Sequence, residues 1–211
     1  MRVSMRAVVS VLAALVAAGC ASDAGVKPVE APESATVPVA VVAAPSPWAS
    51  VTEAVASIHP TKGNHANGWV RFSQVAGGVR VTAEIEGLKP SAKHAFHIHE
   101  FGDCTGADGK TAGGHYNPEG HPHAGPDSEM HHAGDLGNLV TDAKGQAKYD
   151  RVISGLTIAG DQDPIVGRGV VIHAGEDDLA TQPSGTTPEG ATRIACGTIG
   201  IAKPAAPAPA K

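Results

Sequence analysis

Eight of the eleven histidines of this 211-residue chain fall within the 39 residues from His94 to His132, at spacings that suit bound metal. The run His97-Ile98-His99 is followed by His115 behind Gly113-Gly114, and then by His123, His132 and Asp135. Residues two apart on a strand share a face, so His97 and His99 can point at one ion. Alone, such a pair is as readily half-buried polar surface. His115, His123, His132 and Asp135 add three imidazoles and a carboxylate, enough to close a four-coordinate zinc with no open position, as in a structural site. The strand pair needs further nitrogen donors, and His173, ending Val170-Val171-Ile172-His173, comes from far along the chain and can supply one. A metal enzyme is the first expectation.

These side chains have to be positioned by strands. The apolar period is two in Val51–Ile58, Gly68–Val75 and Gly78–Ile85, short Val- and Ile-rich runs divided by Asn-Gly and Gly-Gly turn signals, which reads as a hairpin meander. Further strands are expected at His94–Glu100, Ala147–Ser154, Gly169–Ala174 and Ala195–Ile201. After the amino-terminal segment no apolar stripe of helical period is sustained, and 26 Gly with 16 Pro favour turns. Aromatics are only 3%, so Val, Ile, Leu and Ala must fill the core. Many short strands point to an all-β sandwich or barrel. Two long loops interrupt it, Phe101 to Gly134 and Glu176 to Arg193, and loops of that length are commonly functional. A formal net charge of −5 without a Lys/Arg cluster argues against nucleic acid as a partner.

The folded unit is expected over residues 48–202. Ahead of it, Arg2 and Arg6, the apolar stretch Ala7–Ala18 and the small residues closing on Cys20 read as a targeting segment too short to anchor as a transmembrane helix. Residues 1–19 resemble a bacterial lipoprotein signal, with Cys20 the lipidated thiol, although Ala17 stands where Leu is usual. Cleavage there leaves 14 basic against 21 acidic residues, a net −7. Residues 20–47 form an Ala/Pro-rich tether, and 203–211 a similar disordered tail. With Cys20 assigned to lipid, Cys104 and Cys196 remain as a pair able to bridge in an oxidising compartment.

The motifs His97-Ile98-His99-Glu100-Phe101-Gly102-Asp103-Cys104, Gly114-His115-Tyr116-Asn117-Pro118, His132-Ala133-Gly134-Asp135-Leu136-Gly137-Asn138, Val171-Ile172-His173 and Arg193-Ile194-Ala195-Cys196-Gly197 resemble copper/zinc superoxide dismutase, in family order, over about residues 54–201. The resemblance implies a Greek-key β-barrel or sandwich of immunoglobulin-like architecture with two long functional loops. It implies copper on His97, His99, His115 and His173, and zinc on His115, His123, His132 and Asp135, with His115 bridging as an imidazolate. It further implies that Arg193 orients the substrate superoxide, that His115 carries protons, and that Asp177 links a copper ligand to a zinc ligand, His97 and His123, with neighbouring Asp178 the rival for that role. Cys104 and Cys196 would form the family disulfide. The lipoprotein-like signal, with Ala21 following Cys20, implies the periplasm, lipid-anchored to the outer membrane through Cys20, and the family resemblance leaves monomer and homodimer both open.

Five histidines are left out of the site. His94 matches a packing position, His59 and His65 lie in the meander, and His121 and His131 neighbour ligands, where an auxiliary metal-capturing role is the alternative. The loop from Leu179 to Arg193 carries no lysine and includes Glu189, so attraction of an anion must rely on Arg193, the metals and Lys110. Two other readings compete: a periplasmic copper or zinc store, and an interaction module of the same fold that has lost copper. The store leaves Arg193, Asp177, His173 and the cysteine pair unexplained, and the four filled copper positions argue against the second.

Overall fold

Alternating burial runs through the early strands: β1 (Glu53–Pro60) hides Ala54, Ala56 and Ile58, and β3 (Gly78–Glu86) hides Val79, Val81, Ala83 and Ile85. Between them lies β2 (Asn67–Val75), whose Val70 and Phe72 complete the inward face. The computed structural model describes residues 48, 50–160, 162–180 and 192–203, all in a unit spanning Ala43–Lys211. The expected signal segment, Cys20, the 20–47 tether, Glu189 and the tail beyond Lys203 lie outside the described residues.

The remaining strands are β4 (Lys93–His99), β5 (Asp135–Val140), β6 (Ala147–Ile153), β7 (Gly169–His173) and β8 (Arg193–Ile201). They form one sheet in the order β5-β4-β7-β8-β1-β2-β3-β6, with every neighbouring pair antiparallel. The consecutive strands β3 and β4 are not neighbours, and β7 inserts between β4 and β8, the out-of-sequence pairing of a Greek-key fold. The edge strands β5 and β6 are drawn together where the Tyr149 hydroxyl donates to the Leu136 carbonyl at 2.7 Å. There Tyr149 also packs edge-on against Phe96 at 5.3 Å. The sheet thus curls into a nearly closed all-β barrel around Phe72, Phe96, Ile98, Leu136, Leu139, Ile172 and Ile199.

Sequence periodicity locates seven of the eight strands to within two residues at each end; it misses β5. That strand opens on a fully buried carboxylate and carries a register irregularity, with three residue steps on β5 (Asn138 to Asp135) opposing two on β4 (Ala95 to His97). The extra residue is a β-bulge, and Gly137, at φ 84°, supplies the left-handed backbone there. A bulge breaks the apolar alternation by which a strand is read. The first long loop is also less irregular than expected, with a 3-10 turn over Lys110–Ala112.

Candidate metal centre

Both faces of β4 are buried, although only one faces the core. Phe96 and Ile98 point inward, while His97 and His99 point outward beneath the long loop. Strand β7 repeats this, with Val170 and Ile172 inside and Val171 and His173 on the loop side. Register sets Val171 opposite His97 and Gly169 opposite His99. On the other edge of β7, an irregularity after Ile172 sets His173 opposite Arg193 of β8. Residues nearly a hundred positions apart in sequence thereby reach one spot.

The loop is held down by backbone bonds. Glu100 N–H donates to Gly114 O, Tyr116 N–H to Ile98 O, and Ile98 N–H to Gly134 O, at 3.0, 2.9 and 2.8 Å, which lays His115 beside His99. Gly134 is required for this approach, because a Cβ there would stand 2.2 Å from the Ile98 carbonyl oxygen. The Cys104–Cys196 disulfide, with Cα atoms 5.6 Å apart, ties the start of the loop to β8. Arg168 covers the loop from outside, its guanidinium 4.2 Å from the Tyr116 ring centre and one N–H on Glu100 O.

Two groups of four donor atoms converge, each within 4.8 Å of one another: His97, His99, His115 and His173, and His97, His115, His123 and Asp135. His132 joins the second, its Nδ1 3.3 Å from His115 Nδ1 and 3.3 Å from Asp135 Oδ1. His123 Nδ1 is 2.9 Å and His115 Nδ1 3.3 Å from that same oxygen. In the first group His99 Nε2 and His173 Nε2 are 3.3 Å apart. Ligands on a tetrahedral ion with bonds of about 2.0–2.1 Å are separated by roughly 3.3–3.4 Å. Both groups therefore fit a metal ion.

Hydrogen bonds decide which nitrogens remain for it. His99 donates its Nδ1–H to Gly113 O at 3.0 Å, which leaves Nε2 as the acceptor-type nitrogen. Asp177 Oδ2 accepts from His97 Nε2 at 2.7 Å and Oδ1 from His123 Nε2 at 2.9 Å, so one carboxylate spans both groups. His97 Nδ1 is buried with no hydrogen-bond partner, an unusual cost unless an ion takes its lone pair. His94 is buried and donates Nδ1–H to the His173 carbonyl at 2.9 Å. Arg193 gives Nη1–H to Gly109 O at 2.8 Å and Nη2–H to Gly113 O at 2.7 Å.

Charge follows the same geometry. Burial, then neighbouring His97, hold His115 down to about 4, and burial above all pushes His99 and His173 well below the ordinary histidine range. Burial also opposes a charge on His123, yet its bonds to Asp135 and Asp177 outweigh it and raise that ring to about 10. Against burial, their histidine partners hold the carboxyls of Asp135 and Asp177 well below the usual range.

Every residue that the sequence suggested for the two metal sets lies in this cluster. Asp178 is exposed, its carboxylate accepting from Ala180 N–H, and does not take the place of Asp177. His59 and His65 are exposed. His121 and His131 are half-buried and bond to the His131 and His132 carbonyls. Lys110 is exposed beside the Arg193 acceptors and pairs with Asp108 at 3.4 Å. Sequence reasoning missed the Gly113 carbonyl, which serves both His99 and Arg193, because backbone acceptors leave no residue-type signal.

Residues 66–199 match the family described as copper/zinc superoxide dismutase. A superoxide dismutase [Cu-Zn] of Paramecium bursaria Chlorella virus 1 is 42% identical over 158 residues, 73% of this chain and 82% of that protein. One from Yarrowia lipolytica is 46% identical over 140 residues, covering 64% and 90% of the two chains. An extracellular superoxide dismutase [Cu-Zn] of Brugia pahangi is 38% identical over 154 residues, 70% and 75% of the two.

Proposed function

Since this chain belongs to the copper/zinc superoxide dismutase family, an oxidoreductase family acting on superoxide with copper and zinc, we propose that His97, His99, His115 and His173 hold the copper while His115, His123, His132 and Asp135 hold the zinc. The observation that carries this assignment is the two converging donor groups, which have His97 and His115 in common; His97 spends Nε2 on Asp177, so His115 is the ring with a nitrogen for each set. His115 turns Nδ1 to His132 and Asp135, which leaves Nε2 for the other set. Two cations held on either side of that ring would supply the electrostatic reason for it to lose its second proton and serve both sets as an imidazolate. Nitrogen donors suit Cu(II), and a carboxylate in the second set suits zinc.

Copper, when bound, supplies the one-electron steps that turn one superoxide into oxygen and a second, with two protons, into hydrogen peroxide. The protein's own groups handle charge and protons. Arg193, its planar fork fixed by two carbonyls, keeps a cation aimed where the substrate anion must approach. His115 Nε2 is the atom that takes a proton in one half-cycle and releases it in the next. Asp177, accepting from Nε2 of His97 and of His123, leaves Nδ1 of each ring as the nitrogen that would hold a metal ion.

The dismutase domain is residues 48–202, preceded by the 1–19 lipoprotein signal and the 20–47 tether and followed by the 203–211 tail. Arg2, Arg6, the apolar run and Ala18-Gly19-Cys20 support a lipid anchor at Cys20, which puts antioxidant defence in the periplasm at the outer membrane. The test is superoxide consumption by the copper- and zinc-loaded protein beside its His115→Ala variant. Activity well above free copper in a chelating buffer is expected, with much of it lost in the variant. Wild-type activity no greater than free copper would overturn the reading.

A further inference from the structure

The segment Gly134–Asn138 ends on a residue that neither metal set uses. Asn138 lies on β5, opposite Ala95 of β4. Residues three apart on a regular strand face opposite ways, but the bulge at Gly137 adds one residue, so Asn138 and Asp135 both serve the loop side. The Asn138 side chain meets the backbone of Asp177 twice. Its Nδ2–H donates to Asp177 O at 2.8 Å, and Asp177 N–H donates to its Oδ1 at 2.8 Å. This reciprocal pair is what a carboxamide offers a peptide unit, one donor and one acceptor side by side.

We propose that Asn138 is a positioning residue for both metal ions, fixing the Asp177 backbone and, through the Asp177 carboxylate, the rings of His97 and His123. The proposal rests on the reading of those histidines as a copper and a zinc ligand. The other ties on the strap that carries Asp177 act at its flanks: Ala174 N–H on Thr192 O at 2.8 Å, Ala95 N–H on Gly175 O at 2.7 Å, the Lys93 ammonium on the Glu176 carboxylate, and Leu179 N–H on the Asp177 carboxylate at 2.9 Å. Asn138 is the side chain that grips Asp177 at its own peptide groups. Loosening that grip moves a carboxylate to which two ligand rings donate, so orientation and tautomer at both ions respond together.

Partners of this kind commonly change metal affinity by about 10- to 100-fold, and Asn138, acting one step removed, belongs at about the lower figure. The experiment compares full-length wild type, Asn138→Ala, Asp177→Asn and the double variant. Zinc dissociation constants come from chelator competition, and copper spectra from electron paramagnetic resonance. Asn138→Ala should weaken zinc by about 10-fold and shift the copper spectrum, and the double variant should bind zinc no more weakly than Asp177→Asn. Asn138→Asp, nearly isosteric but lacking the donor, should lose at least as much and serves if the alanine variant folds poorly. If Asp177→Asn alters zinc affinity and the copper spectrum while both Asn138 variants match wild type, the proposal is overturned. It is also overturned if the fold-losses of the two single variants multiply in the double, as for a merely structural residue. If Asp177→Asn itself changes neither affinity nor spectrum, the ligand reading beneath it fails instead.

Discussion

Burial and carboxylates pull the site's histidines in opposite directions on the proton scale. His99, His115 and His173 are held neutral, His115 down to about 4, whereas His123 between Asp135 and Asp177 is raised to about 10. The stability of the chelator-treated protein should therefore depend on pH in both directions. The three depressed rings stay neutral in the fold but charge in the unfolded chain near pH 6.5, so their contribution is present above 6.5 and lost as pH falls below it, for His115 down to about 4. His123 contributes below 6.5 and loses that contribution as pH rises through about 10. A thermal midpoint highest near neutrality, falling more steeply on the acid side where three rings titrate, is the expected profile from scanning calorimetry. A midpoint that climbs steadily up to pH 10 would contradict it. The donors themselves were readable as residue types, since His and Asp announce metal chemistry. Which nitrogen each ring offers was not, because that depends on backbone acceptors such as Gly113 O.

At the scale of elements, bulges and one covalent tie set the site. The register shift after Ile172 aims His173 beside Arg193, and the bulge at Gly137 turns Asp135 towards its histidines. Period-two reading found the regular strands β1, β2 and β3 because each buries one face. It missed β5, where the bulge and a buried acid erase the pattern. Strand β8 begins at Arg193, two residues ahead of the expected Ala195, so that a charge stands at the strand end. The Cys104–Cys196 bridge closes a sequence separation of 92 residues and packs with Ala112 and Val171 under the loop. Replacing both cysteines by serine should lower the unfolding free energy of the chelator-treated protein by about 4 to 5 kcal/mol in the loop-entropy account. Denaturant titration measures this, and an unchanged midpoint would show that the bridge does not support the fold.

At the scale of the molecule, the proposed lipid anchor lies ahead of the folded domain. If Cys20 carries the lipid, a Cys20→Ser variant should lose lipid labelling and leave the membrane fraction, and a variant still labelled and membrane-bound would disprove the anchor. Within the domain, the sequence by itself determined the all-β class, the cysteine pair and which histidines and carboxylates were candidate donors, because strand periodicity and metal chemistry are written in residue types and short spacings. Tertiary structure alone decided the rest. It paired β4 with β7 and β7 with β8, placing His97, His173 and Arg193 together across nearly a hundred residues. It also stretched one carboxylate, Asp177, between two donor sets and clamped it with Asn138. These are contacts between distant segments, and their geometry is fixed by register, bulges and buried hydrogen bonds that no local spacing encodes.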